Sequence, residues 1–546
     1  MHTISAVRFE FGTMPRKIKH VEPVRPTVSD RFKNDIALPG EPLARVKALA
    51  ERFVRRLGWD VVLDMRAWFF LTFGYGTTLN MATSCSGTDM IVDLMRELLL
   101  AVFDETGAKG QERVNLKHVY ACEGSAAKRQ YIRLQHGENV TIFNDVKDLT
   151  KGKALTHDHG LQKVDRHIHI KAAGFPCTDA STLNNKSGSD KNLRCIETAS
   201  LRTGSVFESI VKACELMPFL KVIFFENVAH LKRTPPTGKS NLDHVASKVK
   251  ARLDHVLMVW ELCPRVFGTP QSRARLWMAS IPEKTLVELG YDKEGATEQL
   301  TGYMDQLVGS SMTDWREFLI PDNSDLIRSF NADGLAKREM EASFVTGIVQ
   351  EKKNRKRPFS EVDVTWPTKH QQAFEKKGRD WAASSIVITE DDYVTFPGLA
   401  RVRPRELDTL ALLGIAALPE KDGRMSELVH SADRCKMFSE HAPTVLPTGR
   451  IFFTDRCRFM HPVECMALQG IKVSQNIAFK VKPSTMQSLA GNSFEASCAL
   501  ATMFATFAFL AKGSETTLQA GPATYAIRNG IALDWRGYPI DEDADL

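Results

Sequence analysis

The decapeptide Ala172-Ala-Gly-Phe-Pro-Cys-Thr-Asp-Ala-Ser181 decides the fold of this chain. The alternating segment before it, His167-Ile-His-Ile-Lys171, predicts a strand that ends at Gly174. The polar stretch after Cys177 cannot continue that strand, so the cysteine is predicted on a loop at its carboxyl end. Open α/β sheets bind their ligands at that end, which makes Cys177 a candidate nucleophile. The alternative is a buried structural cysteine, which the preceding proline and the following polar residues oppose.

Strands and helices alternate on both sides of this segment. The predicted strands are 78–83, 118–121, 140–143, 167–172, 222–225, 255–261 and 275–281, and the clearest helices are 41–58, 90–103, 206–216 and 486–510. This alternation predicts an α/β fold with a Rossmann-like, doubly wound, mostly parallel sheet and helices on both faces. Polar residues follow the strands, and they are Ser86, Gly87, Glu123, Asp145, Cys177 and Glu226. In an open sheet such positions converge on one crevice.

Length and composition limit the classes of protein to consider. The chain has 546 residues, enough for a large domain and a second one, and its 43% hydrophobic content is ordinary for a soluble protein. Ten cysteines without a C-x-x-C pair exclude a zinc finger and favour a reducing, intracellular compartment. The net charge of +6 permits a polyanionic partner. The apolar runs are too short for a membrane span, so we expect no membrane association.

Five short motifs follow one another along the chain. They are Pro176-Cys177, Glu226-Asn-Val228, Gln271-Ser-Arg-Ala-Arg275, Glu464-x-x-x-Leu-Gln-Gly470 and Gly491-Asn-Ser493, with a sixth, Arg202-Thr-Gly-Ser-Val-Phe207, between the first two. In this order and approximate spacing, the chain resembles the C5-cytosine-specific DNA methyltransferases. The resemblance covers about residues 78–283 and 450–511. It implies a class I methyltransferase fold that uses S-adenosylmethionine, with a second, smaller target-recognition domain.

The resemblance implies a role for four residues in catalysis. The Cys177 thiolate would add to C6 of cytosine, which needs a thiol whose pKa nearby cations lower. Arg273 is a candidate for such a cation. Glu226 would act as the acid beside N3, and Arg275 would hold O2 of the base. For Glu226 alone the alternative is a capping carboxylate, and for the arginines it is a surface salt bridge.

The cofactor side departs from the family pattern. The family has a Phe-x-Gly-x-Gly turn after its first strand, whereas this chain has Thr83-Ser-Cys-Ser-Gly-Thr-Asp89 with one glycine. By resemblance, the residues that would bind S-adenosylmethionine are Ser86, Gly87, Thr88, Glu123, Asp145, Asn492 and Ser493. Glu123 would accept from the ribose hydroxyls and Asp145 would meet the adenine amino group. A strand-end carboxylate can also be a simple cap.

We predict five segments. They are a basic arm and helix (1–60), the catalytic core (61–283), a target-recognition domain (284–449), the C-terminal part of the core (450–512) and a tail (513–546). The expected substrate is double-stranded DNA, whose target cytosine must be flipped out of the helix. A tRNA methyltransferase is the first alternative, although the Cys-Phe-Thr signature of that branch is absent. A DNA-binding relative that has lost activity is the second.

Three further expectations complete the predictions. The pairs His157/His159 and His167/His169 lack partners at ligand spacing, so we expect no metal. The basic run Glu351–Pro358 contacts phosphates, forms a solvated loop or serves as a nuclear address, and the last predicts a nuclear protein if the source is eukaryotic. No protein partner can be named.

Overall fold

The computed structural model describes most of the chain. The described residues are 41–74, 76–110, 113–181, 184, 188–236, 238–336, 338, 365–380, 386–429, 435–514, 526–528 and 531–533. The basic arm before residue 41, the basic run Glu351–Pro358 and nearly all of the tail lie outside these residues, so their predictions stay predictions.

A seven-stranded, mostly parallel sheet forms the centre of the protein. Its spatial order is β3-β2-β1-β6-β7-β9-β8, and β9 alone runs antiparallel to its neighbours. The strands are β1 (Thr78–Ser84), β2 (Asn115–Cys122), β3 (Thr141–Phe143), β6 (Ile170–Ala173), β7 (Val222–Val228), β8 (His255–Leu262) and β9 (Arg275–Pro282). A separate hairpin consists of β4 (Lys153–Leu155) and β5 (Leu161–Lys163). This topology, with helices on both faces, confirms the predicted α/β class.

The order of the strands reverses between β1 and β6. From β1 the chain moves outward through β2 and β3, and from β6 it moves the other way. The carboxyl ends of β1 and β6 therefore form the switch point at which open sheets bind ligands. β6 begins later than predicted because Nδ1 of His169 accepts the Asn80 N–H at 3.0 Å, a proton that a β ladder gives to a carbonyl.

Helices cover both faces of the sheet. The described helices are α1 (Pro42–Leu57), α2 (Trp59–Phe73), α3 (Met90–Glu105), α4 (Ala126–His136), α5 (Asp190–Leu193), α6 (Leu201–Cys214), α7 (Asn241–Leu253), α8 (Glu283–Glu288), α9 (Lys293–Leu307), α10 (325–336), α11 (Thr365–Lys376), α12 (Glu390–Thr395), α13 (Pro404–Leu412), α14 (Pro462–Leu468), α15 (Gln475–Lys480), α16 (Pro483–Asn492) and α17 (Ala496–Leu510). The sequence analysis did not predict α2, whose apolar residues lack a clear helical period.

The two faces of the sheet have separate apolar cores. In β7, Val222 and Phe224 join one core while Ile223 and Phe225 join the other, as the alternation of a strand requires. Helix α17 is buried along its whole length and packs on α1, α2, α3 and α9. The stretch 483–510 is long and apolar enough to cross a membrane, but it is wholly buried, so its composition is explained by core packing.

The region predicted as a target-recognition domain divides between two cores. Its first part, through Trp315 and Phe318, packs into the main core together with α9. A small third core gathers residues from Phe374 to Phe459, including three from α13. Four short antiparallel strands lie there, and they are β10 (Met425–Glu427), β11 (Met437–Phe438), β12 (Ile451–Phe453) and β13 (Arg458–Phe459). The division at 284 and 449 stays a prediction.

A buried ion pair joins this small sheet to the helix that follows it. Arg458 donates two hydrogen bonds to the Glu464 carboxylate at 2.8 and 2.9 Å, and both side chains are almost fully buried. Glu464 also accepts the N–H groups of His461 and Ile320, at 2.6 and 2.8 Å. One carboxylate thus holds the start of α14 and the segment that enters α10.

Replacing Arg458→Met should lower the free energy of unfolding by about 3–5 kcal/mol, because Glu464 would be left buried without its counter-charge. Urea titration measures the change. Arg328→Met is the matched control, since its pair with Asp325 is exposed and should contribute less than about 1 kcal/mol. Equal effects of the two substitutions would contradict this account.

Candidate active site

Two loops press against each other at the switch point. Gly174 ends β6 and donates its N–H to the Ser84 carbonyl at 3.1 Å. A Cβ at Gly174 would lie 2.8 Å from the Cys85 carbonyl oxygen and 2.8 Å from the Phe494 ring. Only glycine allows this approach, so the loop that carries Cys177 lies beside the turn after β1.

The Cys177 loop is held in place by residues from three other elements. Asn227, near the end of β7, donates to the Phe175 carbonyl at 2.9 Å. His230 lies within 2.6 Å of the Ala180 carbonyl through Nδ1. The Cys177 carbonyl accepts the N–H groups of Ala180 and Ser181, at 3.1 and 2.8 Å. These bonds turn the chain sharply after the cysteine and fix the direction of its side chain.

A reciprocal pair of bonds ties the same loop to α6. The Asp179 carboxylate accepts the Thr203 N–H at 2.7 Å, and the Asp179 N–H donates to the Thr203 hydroxyl at 3.4 Å. The sequence analysis missed Asp179 and His230 as positioning residues. Their spacing from Cys177 carries no periodic signal, and only tertiary contact reveals their part.

Cys177 is half-buried beside three charged groups. Burial raises the pKa of its thiol, the Glu226 carboxylate raises it further, and the charges of Arg275 and Arg273 lower it. We expected cations to dominate and lower this pKa. That expectation is wrong for this structure, because removal of the thiolate from water outweighs the two guanidinium groups.

Glu226 and Arg275 form a pair next to the cysteine. Arg275 Nε lies 3.3 Å from the Glu226 carboxylate, and both side chains are mostly buried. Burial raises the pKa of Glu226 in spite of the opposing charges of Arg275 and Arg273. A carboxyl group in this condition can carry a proton near neutral pH and donate it to a bound base.

Arg273 has a different position from the one we expected. Its terminal nitrogens donate to the carbonyls of Val445, Gly491 and Ser493, at 2.9, 3.2 and 3.1 Å. The guanidinium thus reaches Cys177 only through its charge, while its hydrogen bonds join the β8–β9 loop to the C-terminal part of the core. The structure makes it a positioning residue.

The turn after β1 is compact and inward-facing. Ser86 and Thr88 are buried, and the Ser86 hydroxyl donates to the Asp89 carboxylate. Gly87 has a φ of +74°, and a Cβ there would lie 3.0 Å from the Asn492 carbonyl and 3.2 Å from Ser493. The single glycine of the turn therefore serves close contact with the C-terminal part of the core.

A group of buried polar atoms lies beneath this turn. His118 Nε2 is 3.7 Å from the Asp89 carboxylate, and neither His118 nitrogen has a hydrogen-bond partner in the described part of the chain. Burial lowers the pKa of His118 to about 4, against the opposing charge of Asp89. The turn thus rests on a neutral histidine.

Glu123 and Asp145 occupy the ends of β2 and β3, as predicted. One Glu123 oxygen accepts the Ser125 N–H at 2.9 Å, and one Asp145 oxygen accepts the Lys147 N–H at 2.9 Å. Both are caps, and each keeps a second oxygen that bonds to no described residue. Glu123 is nearly buried, and burial raises its pKa; Asp145 is exposed at the sheet edge. The free oxygens suit hydroxyl or amino donors.

Asn492 and Ser493 contribute through the backbone. Their side chains bond within α16, Asn492 to the Ser488 carbonyl at 2.6 Å and Ser493 to the Leu489 carbonyl at 2.6 Å. Their main chain packs on Gly87, which is how they reach the predicted cofactor turn.

The histidine pairs have separate explanations. Nε2 of His167 and Nε2 of His169 lie 3.1 Å apart in a hydrogen bond. His159 lies at the hairpin turn with Glu138 and Asp158, and ligand atoms of these three exposed residues fall within 4.8 Å of one another. Exposed acidic groups are common without an ion, and the absence of a metal stays a prediction.

Replacing Glu226→Gln should lower the pKa of Cys177, because it removes the nearest negative charge. More thiolate would then be present at pH 8, and alkylation of Cys177 by iodoacetamide should become several-fold faster. Peptide mass spectrometry measures the rate at this cysteine alone. Glu215→Gln, on the surface, should leave the rate unchanged, and a slower reaction in Glu226→Gln would contradict the assignment.

Comparison with known proteins agrees with this geometry. Residues 106–503 match the family described as C-5 cytosine-specific DNA methylase. The DNA (cytosine-5-)-methyltransferase DMT5 of Cryptococcus neoformans is 22% identical over 473 residues, which cover 83% of this chain and 18% of that protein. The chain thus spans less than a fifth of the length of this curated relative.

Solved structures are also similar. Entamoeba histolytica methyltransferase EhMeth and S. pombe Dnmt2 methyltransferase are each 12% identical, with a TM-score of 0.37, and each match covers 79% of this chain and 98% of the other. Because the family match spans most of the chain and contains Cys177, Glu226 and the Gln271–Arg275 motif, the protein belongs to the C-5 cytosine-specific DNA methylase family.

Proposed function

We propose that this chain is a DNA cytosine-5 methyltransferase that acts through a covalent adduct at Cys177. The observation that carries the proposal is the buried pair of Glu226 and Arg275, 3.3 Å apart, beside a half-buried cysteine. Cytosine C5 is a weak nucleophile, and this arrangement supplies what activates it.

The thiolate of Cys177 adds to C6, and the C5–C6 π electrons move toward the ring carbonyl and N3. Glu226 donates its proton to N3 as this charge develops, so no free anion forms on the base. C5 then carries the electron pair that takes the methyl group. Loss of the C5 proton expels the Cys177 thiolate and restores the aromatic ring.

The raised pKa values fit these roles with one consequence. A protonated Glu226 is ready to act as an acid, but the Cys177 thiol is largely un-ionised near neutral pH. Deprotonation of the thiol must therefore accompany substrate binding. Arg275 already faces the Glu226 carboxylate, and its remaining donors can hold O2 of the base.

S-adenosylmethionine would supply the methyl group when bound. The free oxygen of Glu123 fits the ribose hydroxyls, and that of Asp145 fits the adenine amino group. The Ser86–Asp89 turn and the backbone at Asn492 and Ser493 would enclose the remainder. This part of the proposal rests on the strand-end positions and the family.

DNA is the proposed substrate, and the segment 284–449 is the proposed target-recognition region. The name of the Cryptococcus relative and the description of the family favour DNA. A flipped cytosine is needed because a base inside a duplex cannot reach Cys177. A nuclear location is proposed for a eukaryotic source. Methyl transfer to tRNA is the competing outcome in the experiments below.

Replacing Cys177→Ser should abolish methyl transfer, because a hydroxyl is far less nucleophilic than a thiolate. Transfer of radiolabelled methyl groups to duplex DNA and to tRNA measures both the activity and its substrate. Cys263→Ser, also half-buried but outside the site, is the control and should stay active. Activity above a few percent in Cys177→Ser would exclude the nucleophile, and transfer to tRNA alone would exclude DNA.

The trapped adduct gives a second measurement from the same proposal. DNA that contains 5-fluorocytosine should form a stable covalent complex, because fluorine blocks the loss of the C5 proton. The complex should resist denaturing electrophoresis and map to Cys177 by mass spectrometry. An adduct at another cysteine would contradict the mechanism.

Replacing Glu123→Gln should weaken S-adenosylmethionine binding by about 1.5–3 kcal/mol, because a charge-assisted hydrogen bond is lost. Glutamine still accepts the Ser125 N–H, so the cap is retained. Calorimetry gives the affinity, and Glu138→Gln on the nearby surface is the control. An unchanged affinity would move the ribose site elsewhere.

A further inference from the structure

Strained backbone concentrates at two turns of the crevice. The described non-glycine residues with positive φ are Cys85, Asp89, Ala199, Leu201, Asp254 and Cys457. The first two lie in the turn after β1. The next two lie in the turn that leads into α6. Left-handed conformations are costly for residues with side chains, and they cluster where a protein positions a ligand.

The second turn presents Arg202 to the crevice. Arg202 follows Leu201, whose φ is +55°, and precedes Thr203, which is bonded to Asp179 of the Cys177 loop. Gly204 is packed so closely on the Cys195 carbonyl that a Cβ would lie 1.8 Å from its oxygen. The first turn of α6 is therefore fixed on both sides of Arg202.

The Arg202 side chain is exposed and uncommitted. No hydrogen bond or ion pair uses its guanidinium among the described residues, whereas Arg273 and Arg275 are both engaged. An exposed arginine on a rigid turn, without a partner, is available for an anion.

The charge of Arg202 falls on the cofactor side of the crevice. Burial sets the raised pKa of Cys85, about 12, and of Glu123, and Arg202 opposes burial at both. Arg202 is not among the charges that act on Cys177. At Cys85 its influence exceeds that of Lys128, while at Glu123 the order is reversed. Arg202 thus lies nearer the β1 turn, and Lys128 nearer the predicted ribose site.

We infer that Arg202 binds the carboxylate of the amino-acid part of the methyl donor. This inference rests on the proposed use of S-adenosylmethionine. With the ribose at Glu123, the amino-acid end of the molecule falls at the turn after β1, where Arg202 provides a planar pair of donors for a carboxylate. The position compensates for the turn's lack of the family's glycine-rich sequence.

The test compares two ligands that differ only in this carboxylate. Wild-type protein and Arg202→Gln are titrated by calorimetry with S-adenosylmethionine and with decarboxylated S-adenosylmethionine. Arg202→Gln should weaken the first by about tenfold or more, the loss expected for a charge-assisted bond, and change the second less than twofold. Arg202→Lys should recover part of the loss.

The controls separate this inference from the proposed function. Lys212→Gln, exposed on the same helix, should change neither affinity, and thermal unfolding should show that Arg202→Gln remains folded. Equal loss for both ligands, or no loss for either, overturns the inference. Weaker binding to duplex DNA with unchanged cofactor affinity also overturns it and assigns Arg202 to a phosphate. Failure of the wild type to bind S-adenosylmethionine at all would instead overturn the proposed function.

Discussion

The close approach of three main-chain segments at the switch point is the constraint on which the site depends. Gly174 contacts the Cys85 carbonyl and the Phe494 ring, and Gly87 contacts the backbone at Asn492. Any side chain at either glycine would push the Cys177 loop away from the β1 turn or separate both from the C-terminal part of the core. Arg273 closes the arrangement by bonding to three carbonyls across the same junction. The chemistry therefore depends on backbone packing before it depends on any charged side chain.

This packing places the reactive groups in a partly dehydrated environment. Burial raises the pKa of both Cys177 and Glu226, although two arginines oppose it. The same dehydration favours proton donation by Glu226 and disfavours the thiolate. The protein therefore has a ready acid and a restrained nucleophile, and the substrate has to complete the activation. A thiol held in this way is also protected from adventitious oxidation, which acts on the thiolate.

The C-terminal segment contributes more to the architecture than its length suggests. Helix α17 fills the core between the N-terminal helices and the sheet, and the preceding α16 delivers the backbone that meets Gly87. The Arg458–Glu464 pair orients the helix before them. As a result, residues far apart in sequence, from α1 to α17, form one apolar core, and the intervening small sheet is attached at its edge.

The sequence by itself determined the fold class, the order of the main strands and the positions of Cys177, Glu226, Glu123 and Asp145. It could do so because strand periodicity and strand-end polar residues are local signals. Only the tertiary structure decided how these groups behave. Arg273 became a backbone clamp because its carbonyl partners come from 445–493, and the pKa of Cys177 rose because burial is a property of the assembled crevice. The roles of Asp179 and His230 likewise exist only through contacts between distant segments, which no spacing along the chain encodes.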